Sequence, residues 1–168
     1  LLPACTEVRS RHAAAETLEY RGFSSEELDD LWAALGDDYF LRERADDIAW
    51  HTEAIADHDH RKGALVLVKQ TSESPISNAT QIFVHTQDEP NTFARICAAI
   101  ETLDLSIHNA RIYSDTNGGT LDTFFVLKSD GSSLSSHPDT FAEIEEKIRH
   151  SLAMEGLRTV TRLSLIHI

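Results

Sequence analysis

The sequence predicts an α+β protein, an all-helical segment followed by a ferredoxin-like βαββαβ module. Three observations carry this. From Thr80 to about Leu152 the residues read strand, helix, strand, strand, helix, which is the order of such a module. In Leu121–Lys128 apolar side chains fall in both phases of a strand, so one sheet face packs on helices and the other on a second surface. Before residue 57 the apolar spacing is helical throughout.

Residues 6–21 read as a charged helix with Val8, Ala14, Ala15 and Leu18, stopped at Arg21-Gly22. Ser24-Ser-Glu-Glu27 is a capping-box pattern. Leu28, Leu31, Trp32 and Leu35 then form an amphipathic stripe that Gly36 is expected to end. Asp37 and Asp38 open a short helix carrying Tyr39, Phe40 and Leu41. Ala45–Ala56 reads as another, with Ile48, Ala49, Thr52 and Ile55 on one side. Helices this short rarely fold alone. They are expected to pack on the module or on a domain upstream, with Trp32 and Trp50 between helices. Asp57–Gly63 is a polar break, Ala64–Val68 an added N-terminal edge strand, and Gln70–Ser77 a loop.

Within the module, Thr80–Thr86 is the first strand. Asp88-Glu-Pro-Asn-Thr-Phe93 feeds a helix whose Phe93, Ile96, Cys97, Ile100 and Leu103 make one apolar stripe. Pro90 suits the first helical turn, and Asp88 or Asn91 can accept from its free N–H groups. The second strand runs from roughly Ser106 to Ser114. Its apolar phase shifts between Ile107 and Ala110–Ile112, which implies a bulge. Asn117-Gly118-Gly119 is a hairpin turn, since Asn and Gly both tolerate positive φ. In the third strand Asp122, Phe124 and Val126 share one face, and Leu121, Thr123, Phe125 and Leu127 the other; Phe83, Phe124 and Phe125 read as core. After a loop at Ser129–Ser136, a helix from Pro138 carries Phe141, Ile144, Ile148 and Leu152. Leu163–Ile168 has two readings, a short closing fourth strand or translated sequencing-adaptor sequence. The expected division is a helical linker at 1–57, a connector with the added strand at 58–79, the module at 80–155 and a tail at 156–168.

The chain has 168 residues and a net charge of -13. An acidic surface repels phosphate backbones, so nucleic acid is not an expected partner. The longest apolar run, Gly63–Val68, is too short for a bilayer, and no membrane partner is expected. Leu1–Cys5 lacks the pattern of a secretory signal. Cys5 and Cys97 form no disulfide framework, which suits a reducing cytoplasm. The chain does not begin with Met and reads as a piece of a longer protein.

His51, His58, Asp59 and His60 are the ligand types of a metal site, and a His-Asp pair is the core of HD phosphohydrolases. Yet Arg-Lys-Gly and a strand follow His58-Asp59, not an apolar helix, and the bland reading is a solvated loop. Asp37-Asp38 and Asp46-Asp47 lie in helical stretches, where neighbours do not face one site; they read as first-turn acids favoured by the helix dipole. Gly118-Gly119 is a turn and no phosphate loop. No catalytic residue and no metal ligand is expected in this chain.

Asp88-x-Pro90-x-x-Phe93 after a strand, Leu105-Ser-Ile107 opening the next and Asp122-Thr-Phe124-Phe-Val126 in the third resemble the ACT domain, a ligand-sensing and oligomerising module. Asp38-Tyr-Phe-Leu41 and Ile48-Ala-Trp-His-Thr52 resemble the segment before the first ACT domain of the bifunctional PII uridylyltransferase/uridylyl-removing enzymes. Ser106–Ile112 and Leu121–Leu127 resemble that family too. The resemblance spans about residues 24–152. It implies a regulatory portion of an enzyme that transfers UMP from UTP to the PII signalling protein and removes it again, with glutamine as the switching signal. It implies magnesium in the parent's transferase site and no cofactor in this portion. Its partners would be the catalytic domains upstream, a second ACT domain downstream, PII through the parent, and glutamine. The ligand site it implies is the strand-to-helix turn, with Asp88, Asn91, Thr92 and Phe93, and Asn109 nearby; free N–H groups there can take a carboxylate. Asn91 stands where ligand-binding ACT domains usually have Gly. The alternative is therefore a ligand-free structural module for docking or dimerisation, in which Asp88 and Asn91 only cap the helix.

Overall fold

A computed structural model describes residues 3–71 and 76–166, with side chains from residue 7 to 154. Four helices come first: α1 (Pro3–Tyr20), α2 (Ser25–Trp32), α3 (Asp37–Arg42) and α4 (Ala45–Asp57). A single 3-10 turn at His60–Lys62 leads to β1 (Leu65–Gln70) and β2 (Thr80–Gln87). Then come α5 (Thr92–Thr102), β3 (Leu105–Ser114), β4 (Gly119–Lys128) and α6 (Pro138–Ile166). The four strands make one antiparallel sheet in the order β1-β2-β4-β3.

The α+β architecture is the expected one, with one difference in how the sheet closes. The edge beside β2 is occupied by the added strand β1, running antiparallel to it. No strand comes after α6 among the described residues, because the helical backbone continues through Ile166. Leu163–Ile166 is therefore helical, and residues 167–168 lie outside the described residues. β1 supplies the pairing that a closing strand would have supplied. It also extends two residues beyond the sequence expectation, into the stretch read as a loop; residues 72–75 of that stretch lie outside the described residues.

The two faces of the sheet bury two cores. On one, Val66, Ile82, Val84, Phe124 and Val126 pack against Ile96, Ala99 and Ile100 of α5 and Ile144 and Ile148 of α6. On the other, Leu65, Phe83, Tyr113 and Leu121 pack against Ala14, Leu18, Leu28, Trp32, Tyr39, Phe40 and Ile48 of the first four helices. The short helices thus gain from the sheet the burial that they lack alone, and the molecule has three layers. Trp32 packs edge-on to Phe40 and donates to Thr52 Oγ1 at 2.9 Å, so it does join helices. Trp50 instead faces the sheet, near Phe83 and under the Lys69 ammonium.

Local chemistry sets the boundaries. Ser24 and Glu27 form the reciprocal capping box. Gly22, at φ 106°, closes α1 while Phe23 N–H donates to Leu18 O at 3.1 Å. Gly36 does not end α2, which stops at Trp32; it is the residue before α3, at φ -81°. The bulge falls between Ile107 and Asn109, as the phase shift requires. In the β3–β4 turn only Gly118 has positive φ. Asn117 has no need of it, because the Asp115 carboxylate accepts from the N–H groups of both Asn117 and Gly119 at 2.8 Å.

Candidate functional site

The turn from β2 into α5 differs in detail from the sequence expectation. Helix α5 begins at Thr92, so Pro90 precedes the helix rather than lying in its first turn. Asn91 is left-handed, at φ 68° and ψ 11°, and its side chain makes no capping hydrogen bond. That conformation explains the residue: outside glycine, Asn is among the few that adopt it readily. The side-chain hydrogen bonds come from Thr92, whose Oγ1 accepts from Glu89 N–H at 3.1 Å and donates to Glu89 O at 2.8 Å. Asp88 N–H donates to Gly118 O at 2.9 Å, tying this turn to the β3–β4 hairpin. Phe93 is not buried in the α5 stripe. It is 48% exposed and stacks over Phe124, with 5.8 Å between ring centres.

The structure therefore gathers Asp88, Asn91, Thr92 and Phe93 on one turn. Asn109 is not with them. It comes just after the bulge, opposite Phe125 and in phase with Arg111 and Tyr113, on the face that the first four helices cover. Beneath the turn lies Asp122, on the α5 side of the sheet. It is buried and accepts from Thr120 Oγ1. Burial raises its pKa to about 6; the Thr120 bond works against that and the Asp88 charge adds to it.

Around the end of the sheet runs a cleft of about 810 Å³. One wall is Leu31, Trp32 and Leu35, and another is α6 near Leu152 and Ala153. His60, Lys62, His85, Glu89, Thr92, Arg95 and Asp115 bring polar groups to it. His85 Nε2 lies 3.4 Å from the Asp115 carboxylate, and burial lowers the His85 pKa. His58 Nε2 is 2.8 Å from Gly63 O, and Asp59 is engaged by Arg61. His51 is elsewhere, fully buried and stacked on Phe83. Its Nδ1 lies 2.8 Å from Tyr39 Oη, and burial lowers its pKa to about 3. The histidines weighed as one metal set are thus split between a core and a loop. Among the described residues no group of three or more His, Cys, Asp or Glu is placed to hold a metal ion. Asp37, Asp38 and Asp46 are exposed, whereas Asp47 is buried against Lys69 Nζ at 2.5 Å.

Where the helical layer meets the sheet there is a buried polar cluster that the sequence did not disclose. Glu43, at the end of α3, has a fully buried side chain. It accepts from Tyr113 Oη at 2.9 Å and Arg111 Nη1 at 3.3 Å, and the same Arg111 nitrogen donates to Arg42 O. Burial raises the Glu43 pKa, against the pull of Arg111 and Tyr113. Glu43 sits in a charged run that reads as exposed. Asp122 was more legible, as a carboxylate in an apolar phase of a strand.

Two family models match the chain. One is the uridylyltransferase GlnD fifth domain, over residues 8–54. The other is the ACT-like domain of plant bHLH transcription factors, over residues 74–152. The bifunctional uridylyltransferase/uridylyl-removing enzyme of Azotobacter vinelandii is 42% identical over 144 residues, which is 86% of this chain and 16% of that protein. The enzyme of the same name from Stutzerimonas stutzeri is 43% identical over 136 residues, 81% of this chain and 15% of that protein. That of Pseudomonas syringae pv. syringae is 40% identical over 144 residues, 86% of this chain and 16% of that protein. The chain thus spans about one sixth of the length of these relatives. No solved structure matches it. No described helix is long and apolar enough to cross a membrane.

Proposed function

We propose, on the premise that this chain belongs to the family of bifunctional uridylyltransferase/uridylyl-removing enzymes, that it is a regulatory segment that senses or relays the glutamine signal. In this reading UMP transfer to PII, its hydrolytic removal and the magnesium that serves transfer belong to catalytic domains upstream, in the cytoplasm. A second ACT domain lies downstream. The helical segment at 1–57, the connector at 58–79 and the ACT module at 80–155 form the path between sensor and chemistry.

One observation supports the relay above all. The first four helices share a single core with the sheet, and Glu43, Arg111 and Tyr113 bridge the layers inside it. A displacement of the sheet is then felt by the helices that face the rest of the enzyme, because packed cores do not deform continuously. Glutamine switches such a device only if it binds one arrangement better than the other.

A second reading, a ligand-free module that docks on its neighbours, is favoured by Asn91, whose side chain stands where a ligand would approach the backbone. Isothermal titration of glutamine separates the two. Heat of binding to this chain, altered in Asn91→Gly, supports a sensor at the Asp88–Phe93 turn. Binding only in a longer chain that includes the downstream ACT domain makes this module the relay. Silence in both refutes the glutamine reading.

A further inference from the structure

We infer that the cleft at the end of the sheet is a binding site for a small carboxylate, with Arg95 as its anchor. This goes beyond the relay reading: the anchor is Arg95, one turn into α5, and the Asp88–Phe93 turn contributes Glu89 and Thr92 only as lining, so Arg95→Gln and Asn91→Gly separate the two.

The Arg95 side chain is 14% exposed and held from one side, where Nη1 donates to Leu152 O of α6 at 3.3 Å. Its other edge is underused. Nε is buried and has no hydrogen-bond partner among the described residues. Nη2 is 3.8 Å from Glu89 Oε2, beyond hydrogen-bond range. Nε and Nη2 form the side-on fork of a guanidinium, which matches the two oxygens of a carboxylate. A buried donor left unmade is costly, so this fork favours a ligand that completes it.

The surroundings suit a small polar molecule with an apolar part. Trp32, Leu35 and Leu121 supply apolar wall, and Lys62 adds positive charge. His85 also lines the cleft, with a buried Nδ1 that has no partner among the described residues. Since its Nε2 faces Asp115, neutral His85 offers Nδ1 as an acceptor for an N–H or O–H of the ligand. The carboxylates present do not fill the fork. Asp115 is occupied by the hairpin N–H groups, Asp30 is exposed on α2, and Glu89, 56% exposed, makes only a long ion pair to Nη2 and no hydrogen bond. Glu89 acts as a tethered competitor that a ligand displaces into solvent. In a chain of net charge -13, a half-satisfied arginine inside a cleft is the feature that selects an anion.

The test is calorimetric titration of L-glutamine, L-glutamate, succinate and inorganic phosphate into the 168-residue chain, its Arg95→Gln variant and its Glu89→Gln variant. Thermal melts check that each variant is folded. The expected result is that at least one carboxylate binds, that Arg95→Gln weakens it by about tenfold or more, the loss of one charge-assisted pair, and that Glu89→Gln tightens it. Glu89 is exposed, so its variant keeps the test alive if Arg95→Gln fails to fold. Binding of succinate or glutamate without glutamine would uphold the cleft and remove the glutamine sensor from it. The inference is overturned if no carboxylate binds the unaltered chain, if Arg95→Gln binds equally well, or if phosphate alone binds.

Discussion

Replacing Arg111 with Met should destabilise the chain sharply, and more so at high pH. Met keeps aliphatic bulk near Phe125, over which the guanidinium lies at 5.3 Å, but leaves the Glu43 carboxylate with only the Tyr113 hydroxyl. The Glu43 side chain is fully buried and Arg111 is about one-fifth exposed, so water can relieve little of the stranded charge. Breaking such a pair from one side costs about 3–5 kcal/mol, and the partial exposure of Arg111 argues for the lower figure. A domain is commonly stable by about 5–15 kcal/mol, so the loss is large. The sign with pH comes from linkage. A carboxyl whose folded pKa is raised binds more protons in the folded state than in the unfolded, so its contribution to stability falls as pH rises through that range. Without Arg111 the folded pKa of Glu43 rises further. The deficit of Arg111→Met should therefore be greatest near pH 8 and shrink towards pH 5. Urea denaturation at both values measures it, and Glu43→Gln added to Arg111→Met should recover much of the loss. A deficit under about 1 kcal/mol, or one equal at both pH values, would mean that Glu43 is not left as a stranded buried charge.

His51 should give the opposite slope. Its folded pKa is lowered to about 3 from 6.5, so the unfolded chain takes up the proton first and stability falls with pH below neutrality. Between pH 7.5 and 5.5 this group should cost about 1.4 kcal/mol, and denaturation of His51→Phe should show that loss removed. Asp122, raised to about 6, contributes with the reverse sign in both proteins and cancels in the comparison. At Asn91, Val should cost about 1–2 kcal/mol because a β-branched residue resists positive φ, and Gly should be tolerated; thermal melts of the two variants check this.

Most of the fold was legible because local signals agreed. The capping box, the bulge and the two apolar phases of β4 each reported one structural fact, and each is found. The features that escaped needed tertiary information. The edge that a closing strand would take is filled by β1, and the periodicity of 64–68 cannot say which edge that strand joins. Phe93 has the spacing of a core residue but lies at the open end of α5, over Phe124. Of the candidate site, the turn at 88–93 was legible as a strand-to-helix junction. Asn109 fell on the other face because the bulge reverses the phase of the residues beyond it. The importance of Glu43, Arg95 and Arg111 could not be read at all. Isolated charges in mixed sequence look solvated until packing places them.

Hydrogen exchange, read by mass spectrometry across the intact chain with and without Arg111→Met, shows directly whether helical layer and sheet respond as one body. Amides of α3 and α4 and amides of β3 and β4 should lose protection together, by similar free energies, since Glu43 and Arg111 belong to one cooperative unit. Loss confined to α3 and α4, with the sheet as protected as before, would contradict it and leave the helices a loosely docked extension unable to carry a signal.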